Sequence, residues 1–164
     1  MMEFEAPGRI DFTSELSADR LRQLEELLFF NENQTQYRNA VVEAIERFGE
    51  PEIRNRGGLL RVHTSQLGEV QSLFAVEHRL GAHRPIAVAV YARTSPDTMT
   101  LLHIVVHHDF AATGPFASKM VTVRLVHQVA KAVSRIKDIR KVEMMYGMAE
   151  SATLAIRVRN ERRP

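Results

Sequence analysis

Residues 100–146 read TLLHIVVHHDFAATGPFASKMVTVRLVHQVAKAVSRIKDIRKVEMMY, and the fold follows from how this stretch divides. Residues 101–107 form an apolar run interrupted by His103 and closed by His107, the pattern of a buried strand. Residues 108–116 are a turn with one glycine, Gly114. Over 117–137 the apolar residues Val121, Leu125, Val129, Ala132, Val133 and Ile136 recur at helical spacing, and Arg124, His127, Gln128, Lys131 and Arg135 fall on the other face. Residues 142–146 read as a second strand. A helix joining two strands is a crossover connection, so 142–146 is expected beside 99–107 and parallel to it. The start of such a helix presents unpaired backbone amides, which makes the glycine turn a candidate cradle for a phosphate-bearing ligand.

Working outward, the N-terminal part predicts two amphipathic helices. The first spans 18–30, with Leu21, Leu24, Leu27 and Leu28 on one face and Ser14 or Ser17 as cap. The second spans 36–48, with Val41, Val42, Ile45 and Phe48, and it stops at Gly49 before Pro51. After Gly57-Gly58 the period changes to two: strands are predicted over 59–64, 70–80, 86–93 and 99–107, joined by short turns as an antiparallel meander. Residues 1–13 read as an arm or a short strand around 10–12, 154–158 as a last strand and 160–164 as a mobile tail. The expected fold is α+β in a single domain over 1–164. A mostly antiparallel central sheet carries two N-terminal helices, and a glycine turn and helix cross over to a parallel strand.

Composition narrows the function classes. The chain is 45% apolar and 26% charged, as ordinary globular proteins are. It has no cysteine, which excludes disulfides, thiolate zinc sites and a cysteine nucleophile. The longest apolar run, 86–92, is far short of the roughly 20 residues that cross a bilayer. The opening Met-Met-Glu-Phe-Glu has acids where a signal peptide has cations, so a cytoplasmic protein without a membrane partner is expected. Charge is uneven: residues 1–50 hold 11 acids against 5 arginines, while 119–141 hold 7 bases against Asp138 alone. The excess of cations near the turn favours an anionic ligand, or simply solvates a helix face.

The element order resembles that of the GNAT-type N-acetyltransferases, and one local match supports it. Where that family reads V-H-P-D-Y-R-G-R-G, this chain has Val106-His107-His108-Asp109-Phe110-Ala111-Ala112-Thr113-Gly114. The family's Arg/Gln-x-x-Gly-x-Gly/Ala signature is eroded here: Ala111 stands for the basic or amide residue and Phe116 for the last small one, and Pro115 has no N–H to donate. The resemblance is thus to a divergent member, over roughly residues 14–146. It implies an acyl-CoA-dependent N-acyltransferase using acetyl-CoA or another acyl-CoA as co-substrate and an amine as acceptor. Thr113, Gly114, Phe116, Ala117 and Ser118 would hold the pyrophosphate with help from Lys119 and Arg124, and the backbone of Val105 and Val106 would face the acyl and pantetheine arm.

For the proton transfers the candidates are Glu77, His103 and His107 as acceptors and Tyr146 as acid for the departing thiolate. His103 and His107 are expected on one strand face about 13 Å apart, and Glu77 is expected to face solvent. No metal site is expected: a helical His-x3-His pair is absent, and His107, His108 and Asp109, taken as neighbours on a strand, would point to opposite faces. A nucleophile elbow is lacking, and the basic helix has too few aromatic neighbours for a nucleic-acid platform. Two alternatives stay open: a non-catalytic GNAT-like module that binds a ligand or protein, and an unrelated α+β domain. An exposed last strand leaves room for a homodimer.

Overall fold

The computed structural model describes residues 6–29, 38–144 and 156–157. Within them the chain is α+β: eight strands in one open, mostly antiparallel sheet, and three α-helices. In chain order these are β1 (Arg9–Thr13), α1 (Leu21–Phe29), α2 (Arg38–Phe48), β2 (Pro51–Arg56), β3 (Leu59–Thr64), β4 (Gly68–Arg79), β5 (Ala82–Ser95), β6 (Thr98–Val106), α3 (Val121–Val133), β7 (Lys141–Met144) and β8 (Ile156–Arg157). The sheet order is β2-β3-β4-β5-β6-β7-β8. Strand β4 is long enough to have two partners on one edge, pairing β3 through Gly68–Val70 and β1 through Phe74–His78.

Among the described strands the parallel step is β6–β7, with Thr98–Leu101 beside Lys141–Met144. The meander has five strands rather than the four expected, because Pro51–Arg56 is also a strand. It pairs β3 across Gly57 and Gly58, whose φ angles of 62° and 85° suit a two-residue hairpin of the primed type. Ile53 packs against the core and Pro51 is partly buried beside it; Glu52, Arg54, Asn55 and Arg56 are exposed on the sheet edge.

Two apolar cores form because both faces of the sheet are covered. On one face Leu24, Leu27 and Leu28 of α1 and Phe48 of α2 pack on Leu60, Val62, Phe74, Val88, Val90, Leu102 and Val105. On the other, Val121, Leu125, Val129 and Val133 of α3 pack on Ala75, Ala87, Ala89, Leu101 and Val106. Each of these four α3 side chains is fully enclosed, which stabilises the docked helix by about 1.5–3 kcal/mol apiece relative to exposure. The small alanines of β4 and β5 let the helix lie close. Arg124, His127, Lys131 and Arg135 face solvent, as the amphipathic pattern predicts.

The strands carry register shifts that the alternation pattern does not announce. Strand β5 has an extra residue, Ile86, opposite the Ala75/Val76 step, which accommodates Pro85 within a central strand instead of at its start. Strand β6 has an extra residue at Leu102, between the pairs Tyr91–Leu101 and Val90–His103. Among the described residues no helix is long and apolar enough to cross a membrane.

Candidate functional site

The turn after β6 is more structured than a simple glycine loop. Residues His108–Phe110 form a short 3-10 turn, residues Ala117–Lys119 a second one, and α3 starts only at Val121, behind Met120 in a left-handed conformation (φ 50°). Phe110 is buried and its ring meets that of Phe116 at 5.2 Å. The Phe116 amide donates to the Asp109 carbonyl (2.8 Å), the Ala117 amide to that of Gly114 (3.2 Å) and the Gly114 amide to that of Ala111 (2.9 Å). These donors, which the sequence offers to a pyrophosphate, are therefore spent on the turn itself. Among the polar side chains it exposes are His108, Thr113, Ser118 and Lys119.

Gly114 has a packing reason of its own. A Cβ at this position would fall far inside 3.0 Å of the carbonyl oxygens of both His108 and Asp109. Both belong to backbone, which cannot swing away as a side-chain end can. Gly114→Ala should accordingly cost about 1–3 kcal/mol of stability through overpacking. Denaturant midpoints, together with loss of exchange protection at the Phe116 amide, measure it; an unchanged midpoint would show that the turn relaxes freely. For the same reason a bulky residue at 114 disturbs the turn itself, and Lys119, exposed at the end of the second 3-10 turn, is the better position for a binding test.

The proton-transfer candidates sit in three different surroundings. Glu77 does not face solvent: it lies on the α3 side of the sheet, opposite Ile10 of β1, and its side chain is fully buried. The expectation failed because this sheet is covered on both faces, so alternation along β4 separates two cores instead of core from water. Glu77 Oε1 accepts the Gly8 amide (2.9 Å) and Oε2 accepts Arg84 Nε (2.7 Å). Burial alone would push its carboxyl up, but the Gly8 amide and the Arg84 guanidinium together hold it below the usual carboxylate range.

His103 pairs with Val90 across β5 and lies on the α1/α2 side, 3% exposed. Burial lowers its pKa to about 4, so the ring is neutral at physiological pH. His107 lies beyond the end of β6, its amide donating to the Ile86 carbonyl (2.7 Å) and its Nδ1 accepting the Asp109 amide (3.2 Å). Burial first, and then the adjacent His108, hold its ring below the ordinary histidine value, against the pull of Asp109. The two histidines therefore do not share a surrounding, because the extra residue in β6 and the strand end at Val106 intervene.

Around the turn, charged groups gather that the sequence did not bring together. Arg84 Nη2 lies 3.9 Å from Asp109 Oδ2, while His108 Nε2 and His107 Nδ1 lie 3.1 and 3.6 Å from the Asp109 carboxylate. Because β6 ends at Val106, His107, His108 and Asp109 are not strand neighbours, and their side chains converge instead of alternating. Arg84 is the residue sequence reasoning missed. Its signal was present, since it lies opposite Glu77 in a hairpin whose turn, Leu80-Gly81, is short.

The remaining candidates are dispersed. Arg124 lies over the Phe12 ring, 5.3 Å from its centroid, and is thus engaged with β1. Val105 and Val106 are buried and paired with Val88 and Ala87 of β5. Tyr146 lies outside the described residues.

No family model, curated protein or solved structure matches this chain.

Proposed function

We propose that the protein binds an acyl-CoA at the turn between β6 and α3 and transfers the acyl group to an amine, as a divergent GNAT-like N-acyltransferase. One observation carries this reading: an otherwise antiparallel described sheet contains a parallel step, β6–β7, entered through the glycine turn and α3. Ligands in sheets with such crossovers sit beyond the carboxyl ends of the parallel strands, which here is where β6 runs into His107 and the turn. The extra residue at Leu102 adds a local kink to β6, a feature often found beside active sites. Thr113, Ser118 and Lys119 would meet the phosphates, and the backbone of Val105 and Val106 would lie along the pantetheine arm. Of the side chains considered for proton transfer, Glu77 is tied to Arg84 and His103 is enclosed, whereas His107 is partly exposed beside the turn.

A second reading, a GNAT-like module that binds without catalysing, is favoured by a different observation. The amides of Gly114, Phe116 and Ala117 already have intramolecular partners, which leaves fewer donors for a pyrophosphate. The readings separate in one experiment. Thermal unfolding is followed with acetyl-CoA, butyryl-CoA and free coenzyme A, and the same mixtures are assayed for acylated amines. Ligand at about 100 times its Kd stabilises the native state by about 2.7 kcal/mol, and Lys119→Glu should remove most of that gain while leaving the unliganded midpoint in place. A shift with turnover supports acyl transfer, a shift without turnover of an amine panel supports a module that binds coenzyme A, and no shift at millimolar ligand removes the acyltransferase reading.

A further inference from the structure

We propose that His107, His108 and Asp109 form a site for one divalent transition-metal ion of the zinc type. Each residue offers one donor atom, and the three donors all lie within 4.8 Å of one another. Among the described residues no other set of three histidine or carboxylate side chains meets that spacing. The closest approaches to the carboxylate are 3.1 Å from His108 Nε2 and 3.6 Å from His107 Nδ1. Two donors each about 2.05 Å from a tetrahedral ion stand about 3.3 Å apart, close to both of these histidine–carboxylate distances. Two imidazoles and one carboxylate suit zinc, cobalt, nickel or copper, whereas magnesium and calcium prefer oxygen donors alone.

The backbone beneath the donors is held in place. The amides of Phe110 and Ala111 donate to the carbonyls of His107 and His108, the Phe116 amide donates to that of Asp109, and Phe110 anchors the turn in the core. His108 is exposed and the other two are partly so, which gives an ion access and leaves positions for water. Charge also permits a cation. Arg84 is the nearest positive group, yet its Nε is committed to Glu77 at 2.7 Å and its Nη2 stands 3.9 Å from Asp109. The carboxylates of Glu77 and Asp109 thus outnumber the one guanidinium between them. An entering ion takes over the His107 Nδ1 lone pair, which now accepts the Asp109 amide through a long bond of 3.2 Å.

This inference rests on donor geometry and not on the acyl-transfer reading. It is measured without acyl-CoA, so either can fail alone. The chelator-treated full chain is titrated with Co2+ and then Zn2+, following visible absorption and calorimetric uptake. One ion per chain is expected, with Co2+ bands bleached by Zn2+. His108→Ala and Asp109→Asn should each weaken uptake by more than about 100-fold, beyond the 10–100-fold typical of partners outside the ligand set. His108 is exposed, so its replacement leaves the fold intact, as circular dichroism can verify. His127→Ala, on the exposed face of α3, should leave the titration unchanged. The assignment is overturned by absence of uptake at millimolar Zn2+, by uptake that survives His108→Ala, or by uptake lost with His83→Ala, which would move the site to the His78–His83 contact.

Discussion

Arg84→Ala should destabilise the fold by about 3 kcal/mol, the low end of the cost incurred when a buried charge loses its partner. The buried member of the pair is Glu77, whose side chain is fully enclosed, while 39% of the Arg84 side chain reaches solvent. Removing the guanidinium leaves a carboxylate in the core with the Gly8 amide still donating to it. Its pKa then rises, and the protein should become acid-sensitive nearer neutrality. The sign for the wild type comes from the lowered carboxyl: the stabilisation is present above the unfolded value of 4.5 and is lost as pH falls through the lower folded value. Adding Glu77→Gln to Arg84→Ala should recover much of the loss, because the uncompensated charge is then gone. Urea midpoints of the single and double variants complete the cycle. A cost for Arg84→Ala below about 1 kcal/mol, the range of surface pairs, would mean the pair is effectively solvated.

His103 should make stability fall between pH 6.5 and about 4, a window lying mostly above that of Glu77. The folded ring titrates near 4 and the unfolded ring near 6.5, so across this interval the unfolded chain binds the extra proton. Stability is therefore complete above the unfolded value, declines with falling pH, and levels off below the folded one. At 1.36 kcal/mol per pKa unit the full effect is about 3 kcal/mol. His103→Leu should flatten that part of the profile while leaving the steeper loss at lower pH. A wild-type profile that is already flat from pH 6.5 to 4.5 would sink the assignment.

The elements that were legible in the sequence are those whose period was unambiguous. Strand β3 and the ends of α2 and β6 fall within about two residues of the pattern-based bounds, the margin common at element ends. The α3 stripe Val121, Leu125, Val129 and Val133 is buried as its spacing implies. Strand β2 was not legible, because its alternation is confined to Pro51 and Ile53, and a leading proline among charged neighbours reads as a turn. The start of α3 was displaced because Ala117-Ser118-Lys119 are competent helix residues, and only the left-handed Met120 separates them from the helix.

At the candidate site the limit was different. Glu77 could be named from sequence, but its burial depends on α3 and the turn covering the second sheet face, which no single strand encodes. The approach of Arg84 depends on the register of the β4–β5 hairpin, and the convergence of His107, His108 and Asp109 depends on β6 ending at Val106. Both are set by long-range pairing. A one-residue change in where a strand stops turns two diverging side chains into two that meet.

The pairing of β1 with the second half of β4 has a consequence for how the chain reaches this state. Strands β2 to β6 are successive hairpins, each closed by a short local loop. Strand β1, in contrast, finds its partner across more than sixty residues, joining Ile10 to Glu77. Loop closure of that length repays its entropy only after the hairpins stand. The first of the described strands in chain order is thus expected among the last to dock, since it waits for the strand that carries Glu77. Its arrival brings the Gly8 amide to Glu77 Oε1, while Arg84, already placed by the β4–β5 hairpin, holds Oε2.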